Sequence, residues 1–166
     1  ANQDSIPTEY FNNIAPKYPS YTYINQRDGT FKAAASFELP QSIMAMSLNT
    51  ADLDNDGFID LYLGTGAGAL TSLFPNIMLK NVNGERWADV TTTSRLGHLQ
   101  KCHGIAMGDI DRDGDVDMYV ELGGLVMGDF FWNALYENNL LEKANWINLK
   151  LTGTTSNKPA IHQRRG

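Results

Sequence analysis

Cysteine is nearly absent: Cys102 is alone among 166 residues. An internal disulfide is excluded, and cysteine usage speaks neither for nor against an oxidising compartment. No apolar run approaches the roughly 18 residues that a membrane-spanning helix needs. No amphipathic pattern is sustained for about 12 residues, so helix should be the minor component. No basic stripe with interleaved aromatics exists. Arg164 and Arg165 form only a short basic tail, which argues against a nucleic-acid partner. Methionine is missing from the first position. Ala1 there is what removal of a signal peptide leaves, and equally what any other cut would leave.

What is present is an ordinary globular balance, with 42% hydrophobic and 19% charged residues. The length suits one domain or a short array with a real core. The formal net charge is -6. Nine of the 19 acids lie in two short stretches, "DLDNDGFID" at 52–60 and "DIDRDGDVD" at 109–117. Setting these nine aside leaves 10 acids against 13 bases, so the remainder is mildly basic. The acidity is local, which points to a cation held in the two stretches.

Hard divalent cations want several oxygen ligands, and Ca2+ takes six to eight at about 2.3–2.6 Å. Carboxylates at positions 1, 3 and 5 of a tight loop aim at one point. Glycine at position 6 permits a sharp turn. A backbone carbonyl at position 7 and a carboxylate at position 9 complete most of a shell. The first loop then offers Asp52, Asp54, Asp56, the carbonyl of Phe58, and Asp60. The second offers Asp109, Asp111, Asp113, the carbonyl of Asp115, and Asp117. Without a cation the crowded charges repel, so two Ca2+ sites should stabilise the fold. Magnesium prefers fewer protein ligands, and transition metals would want His or Cys. An EF-hand needs Glu at position 12. Leu63 and Val120 stand there, inside strand-like runs, so the helix-flanked reading is excluded. The bland alternative is a pair of solvated hairpin tips.

The surrounding chain is a succession of short apolar runs broken by Gly, Asn and Asp: "YTYIN", "FKAAASF", "IMAMSL", "FIDLYLG", "NIMLKN", "RWADVTT", "HGIAMGDI" and "VDMYVELG". Such runs read as strands. Residues 1–20 hold three of the six prolines and read as an irregular lead-in. The two acidic loops start 57 positions apart. Gly29 and Gly84 are 55 apart, each ahead of an aromatic, Phe31 or Trp87. One repeat therefore runs strand, glycine turn, strand, third strand, acidic loop, fourth strand. Four strands in 40–60 residues is the size of a β-propeller blade. The expectation is an all-β, partial propeller-like array of four-stranded antiparallel blades, about two and a half to three of them. Two repeats span 21–132. A third begins at "NALYENN" within 133–166, and "NWINLKLTGT" adds a last alternating strand over 146–151.

In this strand context the acidic loops resemble the FG-GAP calcium repeat of integrin α-chain type, also called VCBS. The resemblance widens in "MAMSLNTADLDNDGFIDLYLGTG", "GHLQKCHGIAMGDIDRDGDVDMYVELGG" and "GDFFWNALYENN", which are similar to segments of proteins bearing an ASPIC/UnbV module. "NWINLKLTGTTSNKPAI" resembles the start of that module. The resemblance covers roughly residues 20–161 and implies Ca2+ at the loop positions named. Two departures stand out. "AIHQRRG" replaces the module's "AIGAR"-like continuation, so the final module is expected to be truncated or absent. Family propellers also have about seven blades. Open blade edges invite pairing, so a homo-oligomer or an edge-associating protomer is expected, in an extracellular or periplasmic setting.

Other residues weigh less. His98 and His103 flank "LQKC"; in an alternating strand their odd separation points them to opposite faces. Cys102 lacks an orienting group and reads as packing. Phe31, Phe37, Phe58, Trp87, Trp132 and Trp146 fall in strand-like runs and should mostly be blade-to-blade core, with a carbohydrate platform as the alternative. "GTGAGAL" at 64–70 lacks a phosphate loop's lysine and reads as a loop between blades. Asn83-Gly84 signals a hairpin. The leading reading is a calcium-binding, non-enzymatic repeat protein with a structural role or a protein or glycan ligand. A carbohydrate lyase or hydrolase, using His98, His103, Glu121 and Asp129, is the second. A truncated product without the family's function is the third.

Overall fold

The computed structural model describes residues 21–34, 37, 39, 43–66, 74–124, 127–128 and 130–140. The lead-in, the strand expected over 146–151, the ASPIC/UnbV-like segment, Asp129 and Trp146 lie outside them.

The described chain is all-β apart from one helical turn, and every strand pairing is antiparallel. β1 (Tyr23–Asn25) and β2 (Phe31–Ala33) form a hairpin. β3 (Ala45–Ala51), β4 (Asp60–Thr65), β5 (Ile77–Val82) and β6 (Arg86–Asp89) form a four-stranded meander in chain order. α1 (Thr91–Ser94) follows. β7 (Cys102–Gly108), β8 (Asp117–Leu122) and β9 (Ala134–Tyr136) form a three-stranded meander. Meandering sheets of two to four strands, packed in succession, are consistent with a partial propeller-like arrangement.

Face-to-face stacking of these sheets explains the apolar runs. β4 is buried at every residue. One of its rows, Leu61 and Leu63, joins Ile77 and Leu79 and is flanked by Leu39, Ile43 and Trp87. The opposite row places Tyr62, with Met78, against Cys102, Met118, Val120 and Leu122 of the next sheet. Each fully buried side chain of this size contributes about 1.5–3 kcal/mol, so the two interfaces carry most of the stability. β8 keeps a strict alternation instead: Met118, Val120 and Leu122 are buried while Tyr119 and Glu121 are exposed. Among the described residues the last sheet is covered on one face only.

Polar staples fix the stacking. Ser47 Oγ donates to the Cys102 carbonyl at 3.0 Å, and Asn49 Nδ2 to the Ile105 carbonyl at 3.0 Å, joining β3 to β7. Gly64 makes this approach possible, since a Cβ there would collide with Ser47 Oγ and Cys102 Sγ. Trp87 Nε1 donates to Thr22 Oγ1 at 3.2 Å, tying β6 to the first hairpin, and the Phe37 ring meets Trp87 edge-on at 5.3 Å.

The 57-residue spacing extends far beyond the aspartates. The Gly66 and Gly123 amides bond the Met44 and Lys101 carbonyls. The Thr65 and Leu122 amides bond the Asn76 and Asn133 side chains. The register slips between Ala45 and Ser47, and again between Cys102 and Gly104. Each pair of positions differs by 57.

Several expectations change. The acidic loop does not join the third and fourth strands of one sheet. It joins the first two, β3 to β4 and β7 to β8, so a repeat that starts at β1 straddles two sheets. "RWADVTT" does not stay extended. Asp89 Oδ1 accepts from the Thr91 amide at 3.0 Å and the chain coils into α1. In "GTGAGAL", Gly64 and Thr65 belong to β4 rather than to a loop, and residues 67–70 lie outside the described residues. Phe31, on β2 of the first hairpin, and Trp132, which precedes β9 and lies in no strand, are exposed instead of core. The Asn83-Gly84 hairpin is present, with both residues at positive φ.

Candidate metal centre

The two acidic loops lie on one rim and are wired alike. Both oxygens of the first aspartate accept backbone N–H groups from across the turn. Asp52 takes Asp56 at 3.1 Å and Gly57 at 2.8 Å; Asp109 takes Asp113 at 3.1 Å and Gly114 at 3.2 Å. The fifth-position aspartates cap the turn: Asp56 accepts from the Phe58 amide and Asp113 from the Asp115 amide. The last aspartate clamps the loop to the sheet. Asp60 accepts from Leu53 and Asn81 at 3.0 and 2.9 Å, and Asp117 from Ile110 and Asn138 at 2.8 and 2.9 Å.

The backbone bends where this wiring demands it. Position 6, Gly57 or Gly114, lies at φ 91° or 99°. Position 4 is left-handed too, with Asn55 at 56° and Arg112 at 68°. Asn tolerates that region and Arg does so only at a cost, so the second loop stores strain that its hydrogen bonds must offset.

Carboxylates converge as a result. Asp52, Asp54 and Asp56 bring one oxygen each to within 4.8 Å of one another, and so do Asp109, Asp111 and Asp117. Asp60 stays outside the first group and Asp113 outside the second. For Phe58 and Asp115 the expected ligand is the backbone carbonyl. Asp115 turns its carboxylate away from the group, accepting from Asn55 Nδ2 at 2.9 Å and the Leu140 amide at 3.2 Å.

Electrostatics separate the loops. Lys80, on β5, bonds Asp54 and approaches Asp56 Oδ2 at 3.2 Å. The bond to Asp54 raises the lysine's pKa. The Phe58 amide, helped by Lys80, holds the Asp56 carboxyl below its ordinary range. Burial pushes the Asp60 carboxyl up. Desolvation also pushes Asp111 up, aided by the charge on Asp113. Between the sheets at this rim lies a cleft of about 410 Å3, walled by Leu53, Met78, Val90 and Tyr136, with Lys80 and Glu137 on its edge.

The donor set fits a hard cation such as Ca2+. It is all oxygen, and Asp54 Oδ1 is buried with no hydrogen-bond partner. Lys80 bonds the other oxygen of that carboxylate, so Oδ1 is the one left open to a cation.

Reading the sequence missed Lys80 and the asparagines that brace the loops, Asn81 and Asn138. The signal for the asparagines was the same 57-residue offset, whereas Lys80 has none, because Glu137 stands at that offset. The histidines do not form a pair. His98 accepts from the Gln100 amide at 3.1 Å and meets the Phe131 ring at 5.0 Å. His103 occupies the β7 bulge with a buried, unpartnered Nε2. Cys102 is fully buried between sheets. Glu121 lies on the exposed face of the last sheet.

No curated protein matches the chain. Residues 13–63, from ahead of β1 through the first acidic loop to β4, match the FG-GAP-like repeat family.

Proposed function

We propose that the protein is a calcium-binding FG-GAP-type repeat module in which the cations rigidify one rim of a partial propeller, leaving its faces for a protein or glycan ligand. One observation carries this reading. Two loops 57 residues apart share one hydrogen-bond scheme, and each converges three carboxylate oxygens within 4.8 Å. Solvated hairpin tips would have no reason to repeat that scheme bond for bond.

The reading places the protein outside the cell or in the periplasm. Modules there work with millimolar calcium and dissociation constants of about 10⁻⁴–10⁻³ M. It also includes association of copies through the uncovered face of the last sheet, where Tyr119 and Leu135 are exposed. The same reading takes residues 145–161 as similar to the start of an ASPIC/UnbV module.

Melting the chain with Ca2+ and with a chelator tests the reading. Ligand bound to the native state adds RT ln(1 + [L]/Kd), so calcium should raise Tm by several degrees. Superimposable melts, with no calcium retained on elemental analysis, would refute it. Sedimentation at high concentration tests the association, and a clean monomer counts against it.

A further inference from the structure

We propose that Lys80 is a built-in counter-ion that weakens the first acidic loop as a calcium site, so that the two loops fill in order, the second before the first. The inference rests on the calcium reading above.

The loops offer the same carboxylates at positions 1, 3, 5 and 9, and the same backbone scheme. Within the loops, Arg112 and Asp115 of the second replace Asn55 and Phe58 of the first and their charges cancel, so the net difference in charge lies on the neighbouring strand. Asn81 and Asn138 occupy equivalent places, since their amides clamp Asp60 Oδ1 and Asp117 Oδ1. The residue before each is therefore equivalent as well. It is Lys80 beside the first loop and Glu137 beside the second. The Lys80 ammonium bonds Asp54 and lies 3.2 Å from Asp56 Oδ2, two of the three carboxylates that converge there. Glu137 is exposed on the edge of the same cleft.

The two surroundings differ by two units of charge. A divalent ion entering the first loop meets an ammonium already bonded to its ligands. It must displace that ammonium or be repelled by it at a few ångströms. The lysine has somewhere to go: its side chain is 37% exposed, and its four-carbon stem is flexible. In the calcium-free protein the same ammonium neutralises the crowded carboxylates.

Calorimetric titration of the whole calcium-free chain with CaCl2 tests this. Wild type should show two classes of site, about tenfold or more apart, the order expected of one unit charge a few ångströms from a divalent ion near the surface. Asp109→Asn should abolish the tighter class. Lys80→Met should strengthen the weaker class by about tenfold and merge the two. Glu137→Lys should weaken the tighter class by a similar factor, which provides an independent arm if Lys80→Met does not fold. Two sites of equal affinity, a Lys80→Met titration matching wild type within twofold, or loss of the weaker class in Asp109→Asn would overturn the inference while leaving the calcium reading intact. Absence of calcium binding in every protein would overturn both.

Discussion

Asn55 Nδ2 donates to Asp115 Oδ1 at 2.9 Å, so the first acidic loop holds on to the second. The two residues are 60 positions apart, each inside a loop of its own sheet. Asn55 sits between Asp54 and Asp56, and Asp115 between Asp113 and Asp117. Asp115 is only 5% exposed and also accepts from the Leu140 amide. Removing the Asn55 amide leaves a buried carboxylate oxygen short of a donor, which costs about 1–3 kcal/mol. Asn55→Gly is the clean substitution, because glycine keeps the left-handed backbone without penalty. Asn55→Gly and Asp115→Ala should each lower urea-unfolding stability. The double variant should lose clearly less than the sum, since both delete the bond that the two residues share. Strict additivity would mean that the loops are energetically separate.

Gly64 and Gly104 make a second, paired prediction. Both lie in strands, yet their surroundings differ. A methyl on Gly64 meets Ser47 Oγ and Cys102 Sγ where two sheets touch. A methyl on Gly104 meets only the end of the Glu121 side chain, at 2.9 Å on an exposed face. Gly64→Ala should cost about 1–3 kcal/mol by overpacking, and Gly104→Ala should be close to neutral. Equal costs in denaturant titrations would show that the sheets are not pressed together at Gly64.

These contrasts mark what the sequence could and could not reveal. The aspartate spacing announced the loops, and the short apolar runs announced strands, because both are local patterns. The sheet to which each strand belongs was not local. Nothing in "NTADLDND" says whether β3 pairs forward with β4 or backward with β2. The partner of Asp54 was invisible for the same reason. Lys80 is 26 residues away and arrives only because β4 and β5 pair in one register. Asn76 and Asn133 repeat as faithfully as the aspartates, but asparagine is so common at turns that its repetition drew no notice. Phe31 was misread because a strand pattern gives two faces without saying which face has a neighbour, and Trp132 because it lies ahead of β9 and not in a strand.

Tyr62 and Cys102 predict an alkaline weakness. The Tyr62 hydroxyl is buried and donates to the Leu96 carbonyl at 2.9 Å. Burial raises its pKa above the ordinary phenol range, and burial likewise raises the Cys102 thiol. A group whose folded pKa exceeds its unfolded value contributes fully below the unfolded pKa and is lost as pH rises through the folded one. Stability should therefore be flat through neutrality and fall once pH passes the ordinary thiol and phenol ranges. Tyr62→Phe should be weaker than wild type at pH 7, by about 1 kcal/mol for the lost hydrogen bond. It should fall less steeply above pH 10. Native Cys102 should also resist iodoacetamide until the chain is unfolded, because the thiolate is the reactive form. Rapid alkylation of the native protein would contradict the packing of β7 against β3.

Asn138 supplies the last prediction, since it joins the sheets from the far side of the second loop. Its amide clamps Asp117, while its side chain donates to the Leu53 carbonyl at 2.7 Å and the Val116 carbonyl at 3.3 Å. Leu53 belongs to the first loop, 85 residues earlier. Asn81 holds the equivalent place, but its side chain bonds Ile59 and Gly84 within its own sheet. Asn138→Ala therefore removes a tie between sheets, and Asn81→Ala removes one within a sheet. Both should lose about 1–3 kcal/mol of stability. Of the two, only Asn138→Ala should raise amide hydrogen exchange in both acidic loops, because the Asn138 side chain reaches both and the Asn81 side chain does not. If Asn81→Ala loosens the second loop as much, Asn138 is not the tie that transmits between the loops.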